Sequence, residues 1–263
     1  MKNHPVLPLL IILLIAVCCS CSKEYSASGF TKTTTTPVED SFNLTINFRP
    51  MVDTVKLSFD STYRNFWKEE YKVSAFKFYV SNFSLINTDS GRAYHLDTGK
   101  VFLVDAADST TWSVKLLAQP FIYNRISFLI GVDSLHNVNG AKTGALDPAK
   151  GMYWTPSAGY IMAKLEGSGK NNNFAYNIGG FSGDYNVLRK PTLLFPFEQY
   201  LQISKTAGAK WVININANVN SWFYNPHQIK IATNPTCTSP GLMAKDISEN
   251  YSNMFSVDTV INN

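Results

Sequence analysis

The sequence predicts an all-β protein: a single antiparallel β-sandwich with long connecting loops and a short C-terminal helix. Three observations carry that reading. Phe42, Leu44, Ile46 and Phe48 alternate with Asn43, Thr45 and Asn47, and Trp211, Ile213, Ile215, Ala217 and Val219 alternate with Asn214, Asn216 and Asn218. Such period-two patterns mark strands with one face buried. Short apolar runs separated by turn residues fill the middle of the chain, as in sandwiches. Only one stretch, near the end, repeats at helical spacing.

Taken in order, the first strand ends at Arg49-Pro50, and Val55, Leu57 and Phe59 repeat its pattern. Tyr63 to Tyr71, including Trp67, reads as a loop or short helix. Val73 to Ile86 is the longest strand signal of the first half, with Phe76, Phe78 and Val80 on one face. Tyr94 to Leu96, Val101 to Val104, Trp112 to Leu116 and Tyr123 to Val132 follow as further strands. A long polar loop then leads to Met152, Tyr153 and Trp154. Beyond this aromatic corner, Tyr160 to Leu165 and Phe174 to Ile178 form a hairpin around GSGKNNN. Gln202 to Ser204 and Trp211 to Val219 continue the sheet. Leu242, Met243, Ile247, Tyr251 and Met254 then recur every three to four residues after Ser239-Pro240, an amphipathic helix with an N-terminal proline. No shift in composition divides residues 41–263, so they are expected to form one domain, long enough for an ordinary core.

The ends and the composition bound the compartment. Lys2 precedes an apolar run from Val6 to Val17, shorter than the roughly 20 residues that span a bilayer, so residues 1–20 read as an export signal. Cys18, Cys19 and Cys21 close the run, and the small-residue-cysteine pair Ser20-Cys21 resembles a bacterial lipoprotein signal, with Cys21 as the lipid attachment. Ordinary cleavage and a cysteine metal cluster stand as alternatives. Residues 21–40, rich in Ser and Thr, read as a flexible tether. The expected location is the cell envelope, held at the outer membrane by the lipid. With Cys21 consumed, Cys237 remains as the one cysteine, so no disulfide framework is expected. The net charge of +4 is spread without any long basic run, which gives no support for nucleic-acid binding.

The chemistry-bearing motifs are few. No GxSxG, HExxH, EF-hand loop or dinucleotide fingerprint occurs, and GSGK lacks the spacing of a phosphate loop. A binding protein is therefore expected, not an enzyme. Asp133, Asn137 and Asn139 match no known calcium loop and read as a polar turn cluster. His95, His136 and His227 are the imidazoles outside the signal, each by itself an ordinary hydrogen-bonded histidine unless two converge. Trp67, Trp112, Trp154, Trp222 and Tyr224 offer stacking platforms for a competing reading, a glycan- or protein-binding surface module without metal.

FKFYVSNFSLI, YHLDT, ISFLIGVDSLHNVNGAKTGALDP and GMYWTPSAGYIMAKLEG, in this order and spacing, resemble the methanobactin-associated copper-binding proteins, the MbnP-like family, in the branch found as lipoproteins of Bacteroidetes. The resemblance runs from Phe42 to the ENYSNMF segment. It implies an all-β fold and copper as the ion, held by histidines together with an oxidised tryptophan made by a di-haem partner enzyme. By position, Trp154 is the tryptophan and His95 and His136 are the histidines. Two positions depart from the pattern. Pro156 stands where a second tryptophan is usual, and Asn177 stands where FAYNIGG would carry a histidine.

Overall fold

The computed structural model describes residues 41–263 apart from 97, 98, 138–141, 198 and 207. The export signal at 1–20, the tether at 21–40, Cys21 and Asn139 lie outside the described residues.

The first alternating segment becomes the strand Phe42–Val52, in the middle of one sheet, with Leu44, Ile46 and Phe48 fully buried. Ser113–Ala118 pairs with it antiparallel on one side. Trp211–Asn218 pairs on the other side in parallel, from Leu44 beside Trp211 to Met51 beside Asn218. A second parallel pair joins Asn173–Gly179 to Thr236–Cys237. The sandwich is thus mostly antiparallel with two parallel pairings. Alternation reports which face a residue occupies and carries no information about the direction of the neighbour.

The second sheet is organised by Glu70–Asn87, an 18-residue strand long enough to serve several partners in succession. Gly159–Gly169 and Arg125–Ile130 pair with it, as do the shorter Arg92–His95 and Val101–Asp105. Its inner residues Phe76, Phe78, Val80 and Phe83 meet the first sheet. There Phe48 makes edge contacts with Phe78 and Phe128 at ring separations of 5.8 and 5.5 Å, and Phe255 meets Phe128 at 5.0 Å. Such edge-to-face pairs add roughly 0.5–1.5 kcal/mol each beyond the area they bury. The high aromatic content is therefore spent largely on the core.

The outer side of this sheet is also covered. Tyr79, Ser81, Tyr160 and Met162 would face solvent by alternation, yet all are buried. The long loop lies over them, folded into the short turns Ser134–Asn137, Gly144–Leu146 and Pro148–Lys150. The hydroxyls of Tyr79 and Tyr160 donate to the carbonyls of Ala145 (3.0 Å) and Leu146 (2.8 Å). Ser81 Oγ donates to the Gly131 carbonyl at 3.0 Å, and the Val132 N–H meets Met162 Sδ at 3.2 Å. These four groups thus find partners under the loop, and Leu146 and Met152 add a small outer core.

The expected helix forms over Leu242–Tyr251, burying Ala244, Ile247 and Tyr251. Met254 falls outside it, because the chain turns there and enters Phe255–Asn262, an edge strand beside Trp211–Asn218.

Candidate functional site

Pairing along Glu70–Asn87 slips between Ser81 and Ser84, and Asn82 sits within the slip at a φ of 49°. Asparagine tolerates this left-handed conformation better than most residues. Two histidines are tied to this short stretch. Ser84 Oγ and His95 Nδ1 lie 2.9 Å apart, His95 being exposed at the end of its strand. Asn82 Nδ2 lies 3.5 Å from Asp133 Oδ2. Asp133 Oδ1 accepts from the His136 backbone N–H at 2.9 Å and pairs with His136 Nδ1 at 2.8 Å.

His95 is thus held to Ser84 of this strand, and His136 is linked to Asn82 of the same strand through Asp133, each imidazole being engaged through Nδ1. For His136 the carboxylate favours the Nδ1–H tautomer, which leaves Nε2 as the lone-pair atom and fixes the plane of the ring. Partial burial of Asp133 pushes its carboxyl upward. The hydrogen bonds from the His136 backbone and ring, with those charges and the Asn82 amide, outweigh that effect and hold it below the usual aspartate value.

Asn137, next in sequence, is 1% exposed and fastens this turn to the sheet. Its Nδ2 donates to the carbonyls of Val132 (2.5 Å) and Asp133 (3.0 Å), and its Oδ1 accepts from the Tyr160 N–H (3.0 Å). Gly159, at a φ of +74°, makes the approach possible, since a Cβ there would lie 2.6 Å from Asn137 Oδ1.

The strand paired with this segment, Tyr153–Thr155, carries Trp154. The Trp154 ring is half-buried and packs over Gly179, where a Cβ would come within 2.5 Å of it. Read structurally, Trp154 fills the space a glycine leaves. Two further observations bear on a ligand. Asn177 Oδ1, two residues before Gly179, and the Tyr153 hydroxyl, next to Trp154, are buried without a hydrogen-bond partner among the described residues. A buried orphan oxygen is costly and calls for a water or an ion.

His227 belongs to a different group. Its Nε2 lies 2.6 Å from Glu249 Oε2 and 3.6 Å from Asp246 Oδ1, on the Leu242–Tyr251 helix. Asp246 and Glu249 share a helical face by spacing, but their meeting with His227 is a long-range event with no sequence signal. Of the aromatic platforms, Trp222 is fully buried, with its indole nitrogen against Met254 Sδ, and so offers no surface. Trp67 and Trp112 are half-buried and donate to the carbonyls of Phe223 and Asp105. Tyr224 is exposed and stacks on exposed Phe66 at 4.1 Å.

Among solved structures, MbnP from Methylosinus trichosporium is similar over 78% of this chain and 83% of its own, with 12% identity and a TM-score of 0.47. No curated protein matches the sequence. The family model MbnP matches residues 41–239, which is most of the chain and takes in both the histidine turn and the tryptophan hairpin, and the protein therefore belongs to the MbnP family.

Proposed function

We propose that this chain is a metal-binding protein of the cell envelope rather than an enzyme, that copper is its ion, and that His95 and His136 hold it near Trp154. The observation that carries the reading is the Asp133–His136 pair, in which a carboxylate orients an imidazole as it does around metal-binding histidines. Imidazole nitrogen suits copper. Asn177 replaces the histidine that the family resemblance leads one to expect, and its orphaned Oδ1 is a weaker oxygen donor in that region. Bound copper would supply a redox-active, nitrogen-preferring centre. The protein's part is to present the imidazoles and limit access beside a half-buried indole. Lipidation at Cys21 with the tether of residues 22–40 anchors the domain, and a di-haem enzyme is the partner that would oxidise Trp154.

The test is titration of the mature protein with copper(II), read by calorimetry and by quenching of tryptophan emission. Uptake of one ion, abolished by His136→Ala and weakened roughly 10- to 100-fold by Asp133→Asn, supports the assignment. Absence of uptake by the unaltered protein at micromolar copper would sink it. Labelling with radioactive palmitate, lost on Cys21→Ser, tests the anchor.

One observation favours a second reading. The exposed Phe66–Tyr224 stack borders a cleft of about 450 Å³ lined also by Asp53, Arg64 and Asn220. Aromatic faces beside amide and carboxylate groups suit a carbohydrate, and glycan-array binding that survives chelation would favour that function.

A further inference from the structure

We infer that His227, Asp246 and Glu249 form a second cation site, separate in its residues from the His136 turn, which takes a divalent first-row transition ion such as zinc. One nitrogen and two carboxylate oxygens, one per residue, all lie within 4.8 Å of each other. Ligands bound at about 2.0–2.2 Å stand roughly 2.8–3.1 Å apart in an octahedral shell and roughly 3.3–3.6 Å apart in a tetrahedral one. The observed 2.6 Å between His227 Nε2 and Glu249 Oε2 and 3.6 Å between Nε2 and Asp246 Oδ1 bracket that spacing. Shifts of a few tenths of an ångström would bring both His227 contacts into that range.

A plain hydrogen bond explains only part of this arrangement. Neutral imidazole has a single Nε2–H to give, and Glu249 alone satisfies it, yet a second carboxylate is aimed at the same nitrogen. Two carboxylates sharing a neutral imidazole with a dication balance in charge. Arg189 Nη2 lies 3.5 Å from Glu249 Oε1, so it meets the oxygen turned away from His227 and leaves Oε2 to the site.

The donors are also held on a firm base. Asn250, fully buried, accepts the His227 N–H at 2.8 Å and donates to the carbonyls of His227 (2.8 Å) and Trp222 (3.1 Å). This clamp fixes the backbone under the imidazole. Asp246 and Glu249 project from one face of the same helix at i and i+3. The side chains keep exposures of 34, 27 and 35%, so water can complete the shell and the ion can enter from solvent. Occupied, the site would lock the loop carrying His227 onto the helix.

The experiment uses the mature protein stripped with EDTA and titrated with zinc chloride at pH 7.5. Calorimetry should show a zinc-binding step that weakens at least tenfold in both His227→Gln and Glu249→Gln and is kept in His136→Ala. Excess zinc should raise the melting temperature of the unaltered protein and of His136→Ala only. Asp246→Asn, which removes no hydrogen bond shorter than 3.5 Å, guards against misfolding and should also weaken the step. Zinc uptake unchanged in all three variants of the cluster, or absent from the unaltered protein, would overturn the site. Loss of zinc only in His136→Ala would also overturn it, while leaving the copper assignment standing.

Discussion

The Tyr160 backbone N–H donates to Asn137 Oδ1 at 3.0 Å, and this bond joins the turn carrying His136 to the hairpin carrying Trp154. Both residues are buried, and the same asparagine also donates twice to the turn behind it.

Asn137→Leu removes all three bonds; the Asp133 carbonyl keeps the backbone N–H of residue 137, while the Val132 carbonyl and the Tyr160 N–H lose the asparagine. Each unsatisfied buried group costs about 1–3 kcal/mol, so the variant should lose roughly 2–4 kcal/mol in urea unfolding. It should also weaken copper uptake if His136 is a ligand. Unchanged stability would mean that the turn is held by other contacts.

Two glycines should differ sharply. A Cβ on Gly167 would meet the Lys72 carbonyl at 1.9 Å, a backbone obstacle, whereas on Gly179 it would meet the tip of the Trp154 ring at 2.5 Å. Gly167→Ala should cost about 3 kcal/mol or more, and Gly179→Ala only about 1–2 kcal/mol, because a side chain can swing away. In a Trp154→Ala background the Gly179→Ala penalty should shrink without vanishing, since the Tyr160 carbonyl also lies 3.0 Å from the Cβ position, and a double-mutant cycle would show the coupling.

Acid should act through Asp133. Its carboxyl titrates lower in the folded protein than in the unfolded chain, despite the opposing effect of burial, because the His136 backbone and ring and the Asn82 amide favour the charged form. A depressed value stabilises the fold above the unfolded aspartate pKa of about 3.9, and that contribution is lost as pH falls through the folded value. Asp133→Asn should therefore flatten the acid limb of a stability–pH curve, measured below pH 4.5, and parallel curves would refute the assignment.

Cys237 is buried, and loss of solvation pushes its thiol up to about 11, against a smaller opposing backbone hydrogen bond at Ser239. At pH 8 the native thiol should react with iodoacetamide far more slowly than in urea, because the thiolate is the reactive form. Mass spectrometry of the Cys237 peptide would read the difference, and equal rates would show that the site opens readily.

The residue pattern alone determined the strand faces, the all-β class and the helix near the end, because alternation and helical spacing are local consequences of which side chains must leave water. It also singled out His95, His136 and Trp154 through family-like segments. The parallel neighbour of Phe42–Val52, the final strand Phe255–Asn262 and the burial of Tyr79 and Met162 beneath the long loop were decided only by tertiary structure. A strand's period names its faces and is silent about which distant segment covers them. The meeting of His227 with Asp246 and Glu249 has the same origin: packing brought those donors together across the chain, and no spacing in the sequence records it.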